Sequence, residues 1–383
     1  MDTRIQPDLR TLRVDQVGSL LRPPKLKAAF AEYLQGHADG QALRQAQDQA
    51  VREALATQEA HHLPILTDGE FRRAQFMESF GEVAGMELWK TGLLGIIHSL
   101  EEQVQPAEAG KKRGHDPTLN MRKPVTEKLR LVRNRPLEEF QFAHNLTALP
   151  VKVTLIDTDR ICQGYDAQSS RSIYPTVEKF LGDVIAIERQ IVGELAAAGC
   201  PYVQIDGPSY TRYVDAASLG VMRSLGEDPR KNLERAIEAD NAVIAGFPEV
   251  TFGLHVCRGN RQSMWHREGS YDAIAETLFN QVHHQRLLLE YDTERAGSFE
   301  PLRFVPKDKI VVLGLITTKV GRAETVDELK RLIEQAARYI PLEQLALSPQ
   351  CGFASNIPGN LLAEDQQWRK LDVMLETAAR VWG

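Results

Sequence analysis

The stretch GLHVCRGNRQ places His255 and Cys257 two residues apart, LLLEYD offers Glu290, and LALSPQCGF brings a second thiol, Cys351. An imidazole, two thiols and a carboxylate are ligands suited to Zn²⁺, which is usually four-coordinate with bonds of ~2.3 Å to thiolate sulfur. An isolated H-x-C pair is better explained by core packing, because free cysteine is among the most buried residue types, and it is the second thiol, Cys351, that shifts the balance. Position separates the two readings. Residues two apart on a strand project to one side, and the RGN turn puts both at the strand's C-terminal end. Glu290 and Cys351 also follow or close short apolar runs. Cys162 and Cys200 have no such setting, and Cys200, between a helix and a strand, reads as structural.

Positioning these side chains requires a scaffold of parallel strands. Short apolar segments alternate with longer amphipathic ones nearly throughout, the pattern of strands joined by helices. The predicted strands are Val14 to Ser19, Leu63 to Phe71, Pro150 to Ile156, Tyr202 to Asp206, Thr251 to Cys257, Leu287 to Asp292, Ile310 to Ile316 and Leu345 to Ser348. Between them lie stretches such as GDVIAIERQIVGELAAAG, with Val184, Ile187, Ile191, Leu195 and Ala198 at helical spacing and Gly199 as terminator. Eight such strands predict an α/β fold of the (β/α)8 TIM-barrel kind, with residues 1–383 as a single barrel. In a barrel, reactive groups collect at the C-terminal strand ends. A dinucleotide-binding sheet is disfavoured, since no strand is followed by G-x-G-x-x-G and no G-x-x-x-x-G-K-[ST] loop occurs.

One region departs from this alternation. Residues 101–135 are polar, and Lys111 to Arg135 holds nine Lys or Arg residues, enough to raise the question of a nucleic-acid arm. The whole chain argues against one: 46 basic side chains face 52 acidic ones, a net charge of −6, so neither nucleic acid nor an anionic membrane gains from a general positive field. The region is expected to be a solvated insertion between the second helix and third strand. The opening MDTRIQPDLR has no apolar stretch, and four cysteines in 383 residues make no disulfide framework. A cytoplasmic protein acting on small molecules is therefore expected, without a membrane-spanning run.

Other strand ends carry acids. Glu70 follows the second predicted strand in TDGEFRR, and Asp206 ends the fourth in QIDGP. Each could bridge a neighbouring arginine such as Arg72 or Arg212; together, around one mouth, they could hold an ammonium. Gly18 and Ser19 in QVGSLLRP could present backbone groups at close range, or form a plain tight turn.

In these segments the sequence resembles the catalytic domain of cobalamin-independent methionine synthase, and most closely the short single-barrel members of a superfamily that also contains epoxyalkane:coenzyme M transferases. The resemblance runs through VDQVGSLLRP (14–23), LTDGEFRR (66–73), QIDGP (204–208), LHVCRGN (254–260), LLLEYD (287–292), LGLITTKVGR (313–322) and LSPQCGFAS (347–355). It implies a zinc ion held by His255, Cys257, Glu290 and Cys351, with a small thiol, homocysteine above all, bound as thiolate. It also implies that the amino group is held at Glu70 and Asp206 and the carboxylate near Gly18 and Ser19. Three departures accompany it. The family's N-terminal barrel for the folate donor is not expected within this length, which leaves a folate or a methyl-corrinoid protein as methyl donor. Lys319 stands where the synthases carry a histidine thought to protonate the leaving group, so it is either a general acid or a charge for an anionic ligand. The family's D-E-P reads Asp206, Gly207, Pro208, one acid fewer.

Homocysteine methylation is the function this implies. The alternatives are a zinc-dependent thiol alkyl transfer, such as epoxide opening by coenzyme M with Lys319, Arg22 and Arg258 holding the sulfonate, and a non-catalytic zinc barrel.

Overall fold

A computed structural model describes residues 8–9, 11–86, 108–111, 113–114 and 122–383. Six parallel strands form one sheet in chain order: β3 (Lys152–Ile156), β4 (Tyr202–Asp206), β5 (Thr251–Val256), β6 (Arg286–Glu290), β7 (Ile310–Ile316) and β8 (Leu345–Pro349). They match six of the predicted strands to within one or two residues. Register aligns their C-terminal ends, with Ile156 opposite Asp206, Asp206 opposite His255, and Glu290 opposite Gly314. Amphipathic helices cover the outside. The helix Val177–Ala197, capped by Thr176, buries Phe180, Val184, Ile187, Ile191 and Leu195 on one face.

The first two predicted strands are corrected to extended segments with a single ladder bridge each, Val14 to Leu347 on one sheet edge and Leu66 to Val151 on the other. The cause lies in side chains that take the backbone groups a ladder would use. Lys152 Nζ and Gln204 Nε2 donate to the carbonyls of Gln16 and Val17, Thr67 Oγ1 donates to Gly18 O, and Gln58 satisfies both Thr67 N–H and Thr67 C=O. The two segments meet through Leu20 N–H to Gly69 O at 3.1 Å. Hydrogen bonds therefore run round the whole ring, and the architecture is that of a TIM-type barrel whose seam is stitched by side chains.

A charged cluster fills the barrel floor. Asp15 accepts from Lys152 at 2.7 Å, Tyr202 at 2.9 Å and Arg286 at 3.2 Å, all of them buried.

Part of the 101–135 region (101–107, 112 and 115–121) lies outside the described residues. The rest is docked. Arg130–Arg133 (β2) pairs antiparallel with Glu82–Ala84 (β1) outside the barrel, and Arg113 bridges Trp265 and pairs with Asp215 at 2.7 Å. Its basic side chains meet acids: Arg133 and Arg135 contact Glu82, and Lys128 contacts Asp183. No described helix is long and apolar enough to cross a membrane.

Candidate metal centre and substrate pocket

Three strand ends bring four ligand-type side chains together. His255 is the penultimate residue of β5, Cys257 follows the strand, Glu290 ends β6 and Cys351 lies just past β8. One ligand atom from each falls within 4.8 Å of all the others. The sulfurs of Cys257 and Cys351 are 3.6 Å apart, close to the ~3.8 Å expected of two thiolates on one tetrahedral zinc. Neither ring nitrogen of the buried His255 has a hydrogen-bond partner, which leaves a nitrogen lone pair to spend on a cation. Around this group the backbone is fixed: Arg258 N–H donates to Glu290 Oε1 at 2.6 Å and Gly259 N–H to Cys257 Sγ at 3.3 Å. Arg295 and Gln350 reach Glu290 Oε2.

The electrostatics are those of four groups competing for protons. A hydrogen bond from Cys351, aided by His255, pulls the Cys257 thiol well below its ordinary range, and the same contact with burial pushes Cys351 well above. Burial and the Cys257 charge raise Glu290 to about 7 against Arg295 and Lys319. Burial alone would depress His255, but the Cys257 sulfur, Asp206 and Glu290 outweigh it and raise the ring to about 9. A divalent cation is the one partner that would satisfy all four at once, so the donor set fits zinc.

His255, Cys257 and Cys351 line a cavity of about 70 Å³ whose wall also includes Ser19, Glu70 and Asp206. A larger cleft of about 460 Å³ lies elsewhere, near Tyr33 and the paired strands β1 and β2, and several of its charges are spent on one another, Arg135 on Glu82 and Arg133 on Glu138 among them. Glu70 sits in the left-handed backbone region (φ 59°), held there by Asp68 Oδ1 accepting its N–H. Its Oε1 accepts from Thr154 Oγ1 at 2.9 Å, while Oε2 is buried without a partner. Arg72 does not pair with it but with Asp48. Asp206 Oδ1 accepts from Gln204 at 2.7 Å; burial raises this acid to about 7, opposed by His255 and reinforced by Glu70. Gly18 contributes room. At φ +151° a side chain is disfavoured, and a Cβ there would come within 2.7 Å of Thr154 Cγ2 and 3.2 Å of Glu70 Oε1.

Lys319 is fully buried and outside the cavity lining. Its ammonium donates to Gly259 O, Asn260 Oδ1 and Met264 O at 3.0, 3.0 and 3.2 Å. All three protons are thereby engaged, and the ammonium braces the loop after Cys257. Arg22 spends its guanidinium on four carbonyls, those of Ala354, Asn356, Glu70 and Arg73. Arg258 is buried over the ring of Tyr271 at 4.5 Å. The cations that do line the cavity are Arg160 and Arg267, with Asn260 and His266 beside them. These were missed from sequence; the signal was their place just after the third and fifth strands.

The family model described as "Cobalamin-independent synthase, Catalytic domain" matches residues 175–379. The chain belongs to this cobalamin-independent synthase family. The matched stretch contains all four metal-ligand candidates and Asp206, while Ser19 and Glu70 precede it. A Bacillus subtilis (strain 168) relative named "Uncharacterized protein YxjH" is 37% identical over 374 residues, 97% of this chain and 94% of that protein. The methionine synthase of Pyrococcus abyssi (strain GE5 / Orsay) is 28% identical over 220 residues, 57% of this chain and 55% of that one. Among solved structures, the putative vitamin-B12 independent methionine synthase of Listeria monocytogenes superposes with a TM-score of 0.72 at 25% identity, covering 97% of this chain and 98% of that one.

Proposed function

We propose that the chain is a zinc-dependent methyltransferase of the cytoplasm that methylates a small amine-bearing thiol, homocysteine above all, to give methionine. The observation that carries this reading is a Cys₂HisGlu cluster whose His255, Cys257 and Cys351 share one cavity with two buried acids, Glu70 and Asp206. The methionine synthase names among its relatives support it.

Zinc held by His255, Cys257, Glu290 and Cys351 would supply ionisation at neutral pH of a substrate thiol whose ordinary pKa is ~8.5. The remaining work belongs to the protein. Glu70, through its unpartnered Oε2, and Asp206 hold the ammonium. Ser19, whose hydroxyl already accepts the Ala354 N–H, turns its own proton to the carboxylate, with Gly18 clearing space. Lys319 holds the 259–264 loop against the site. The new S–C bond forms as the methyl–donor bond breaks, and its electron pair leaves with the donor, a folate or a methyl-corrinoid protein.

Zinc-loaded protein is to be incubated with homocysteine and each donor in turn. Methionine detected by mass spectrometry from one of them is the expected outcome, and none from either overturns the reading. A second reading, alkyl transfer to an anionic thiol such as coenzyme M, draws support from Arg160 and Arg267 in the lining rather than from Arg22, Arg258 or Lys319. Under it, Glu70→Ala is nearly harmless, because coenzyme M has no amine.

A further inference from the structure

The two pocket acids rest on a polar layer one step down the barrel. Thr154 on β3 and Gln204 on β4 are register partners, each two residues before its strand's last, and both are buried. Thr154 Oγ1 lies 2.9 Å from Arg73 Nη1 and 2.9 Å from Glu70 Oε1. A guanidinium can only donate, so the hydroxyl accepts from Arg73 and has its single proton left for Glu70. Gln204 is governed the same way. Its Oε1 is 2.9 Å from Lys152 Nζ, and an ammonium can only donate; the amide oxygen must face Lys152. The NH₂ group is thereby turned to Asp206 Oδ1 at 2.7 Å and Val17 O at 2.8 Å.

Each cation is in turn anchored, Arg73 by Glu139 at 2.6 Å and Lys152 by Asp15 at 2.7 Å. Two one-way chains result, Glu139–Arg73–Thr154–Glu70 and Asp15–Lys152–Gln204–Asp206. Both end in a proton donated to one oxygen of a pocket acid, which favours the ionised form and aims it. In Glu70 the other oxygen is left buried and unpartnered.

We propose that Thr154 and Gln204 are positioning residues, polarised by Arg73 and Lys152, that aim Glu70 and Asp206 so that the pocket accepts a group that only donates, an ammonium. This rests on the reading of the substrate as an amine-bearing thiol. In the ionised forms that these hydrogen bonds favour, the two acids offer no proton to a neutral or anionic acceptor at that point.

The test is calorimetric titration of zinc-loaded protein with homocysteine and with 4-sulfanylbutanoate, the same thiol acid without its amine. Wild type is expected to prefer homocysteine. Removing a hydrogen bond to a charged group corresponds to roughly a 10- to 100-fold loss. Thr154→Val should therefore weaken homocysteine by about that factor and change 4-sulfanylbutanoate by less than about twofold, at unchanged zinc content and melting temperature, while Thr154→Ser restores binding. Gln204→Met carries the same expectation for the two thiols and for zinc through the other acid, with a lower melting temperature because Val17 O also loses its donor, so the test survives if one variant fails to fold. Equal loss on both thiols, or no loss on either, in variants that fold and hold zinc overturns the positioning role. A wild type that binds homocysteine no better than its deaminated analogue sinks the amine-bearing substrate itself, and this inference with it.

Discussion

Two buried clusters of ionisable groups sit at opposite ends of the barrel. At the floor, Asp15 meets Lys152, Arg286 and Tyr202, and both its oxygens are satisfied. At the rim, His255, Cys257, Glu290 and Cys351 crowd together, and neither nitrogen of His255 has a hydrogen-bond partner among the described residues. The floor is electrically complete and reads as architecture. The rim is complete only with something added. Burial and charge alone do not distinguish them; the leftover lone pairs do.

His284 sharpens the point. It too is buried with both ring nitrogens unpartnered, yet burial and its neighbours Lys309 and His283 drive its pKa down to about 3, so it is a neutral core residue. His255, facing sulfur and carboxylates, is driven the other way.

The largest expected effect breaks the rim. Cys257→Ser or Cys351→Ser should reduce zinc from about one per chain to near none, since each removes a thiolate from a site worth ~10 kcal/mol or more. Cys162→Ser should retain the metal, and elemental analysis of the purified proteins decides. At the floor, Asp15→Ala leaves Lys152 and Arg286 uncompensated and should destabilise the fold by ~3–5 kcal/mol, with zinc content unchanged. Denaturant melts paired with metal analysis would contradict the division of labour if this variant lost zinc without losing stability. Next, Glu70→Ala should raise the KM for homocysteine roughly 10- to 100-fold and leave zinc bound, as steady-state kinetics would show.

The effect that vanishes at neutral pH concerns His284. Its folded pKa lies below the ordinary ~6.5, so its contribution is present above that value and is lost as the pH falls towards about 3. Below pH ~6 the wild type should lose stability relative to His284→Leu, approaching ~1.4 kcal/mol per pH unit. Parallel curves for the two proteins would show that the ring is not held neutral.

The quartet was legible in the sequence because its signals are local: H-x-C at a strand end, a glutamate closing LLLEYD, and C-G after LALS. Strands β3 to β8 were legible for the same reason, as short apolar runs. The seam was not, because two of the groups that replace its ladder, Lys152 and Gln204, come from elements far along the chain. The surroundings of Lys319 were hidden in the same way. Its position after the seventh predicted strand suggested a catalytic charge, whereas its acceptors lie 55 to 60 residues earlier. Thr154 and Gln204 carry no spacing signal at all; their meaning comes from which neighbour can only donate.

A regular ladder tolerates exchange of side chains, because the amide groups that join its strands are the same whatever residue is present. Where Gln16, Val17, Gly18 and Thr67 are secured by particular functional groups instead, that tolerance is lost. A change at Gln58, Thr67, Lys152 or Gln204 would act on this barrel much as a missing stave acts on a cask, close beside the place where substrate is received.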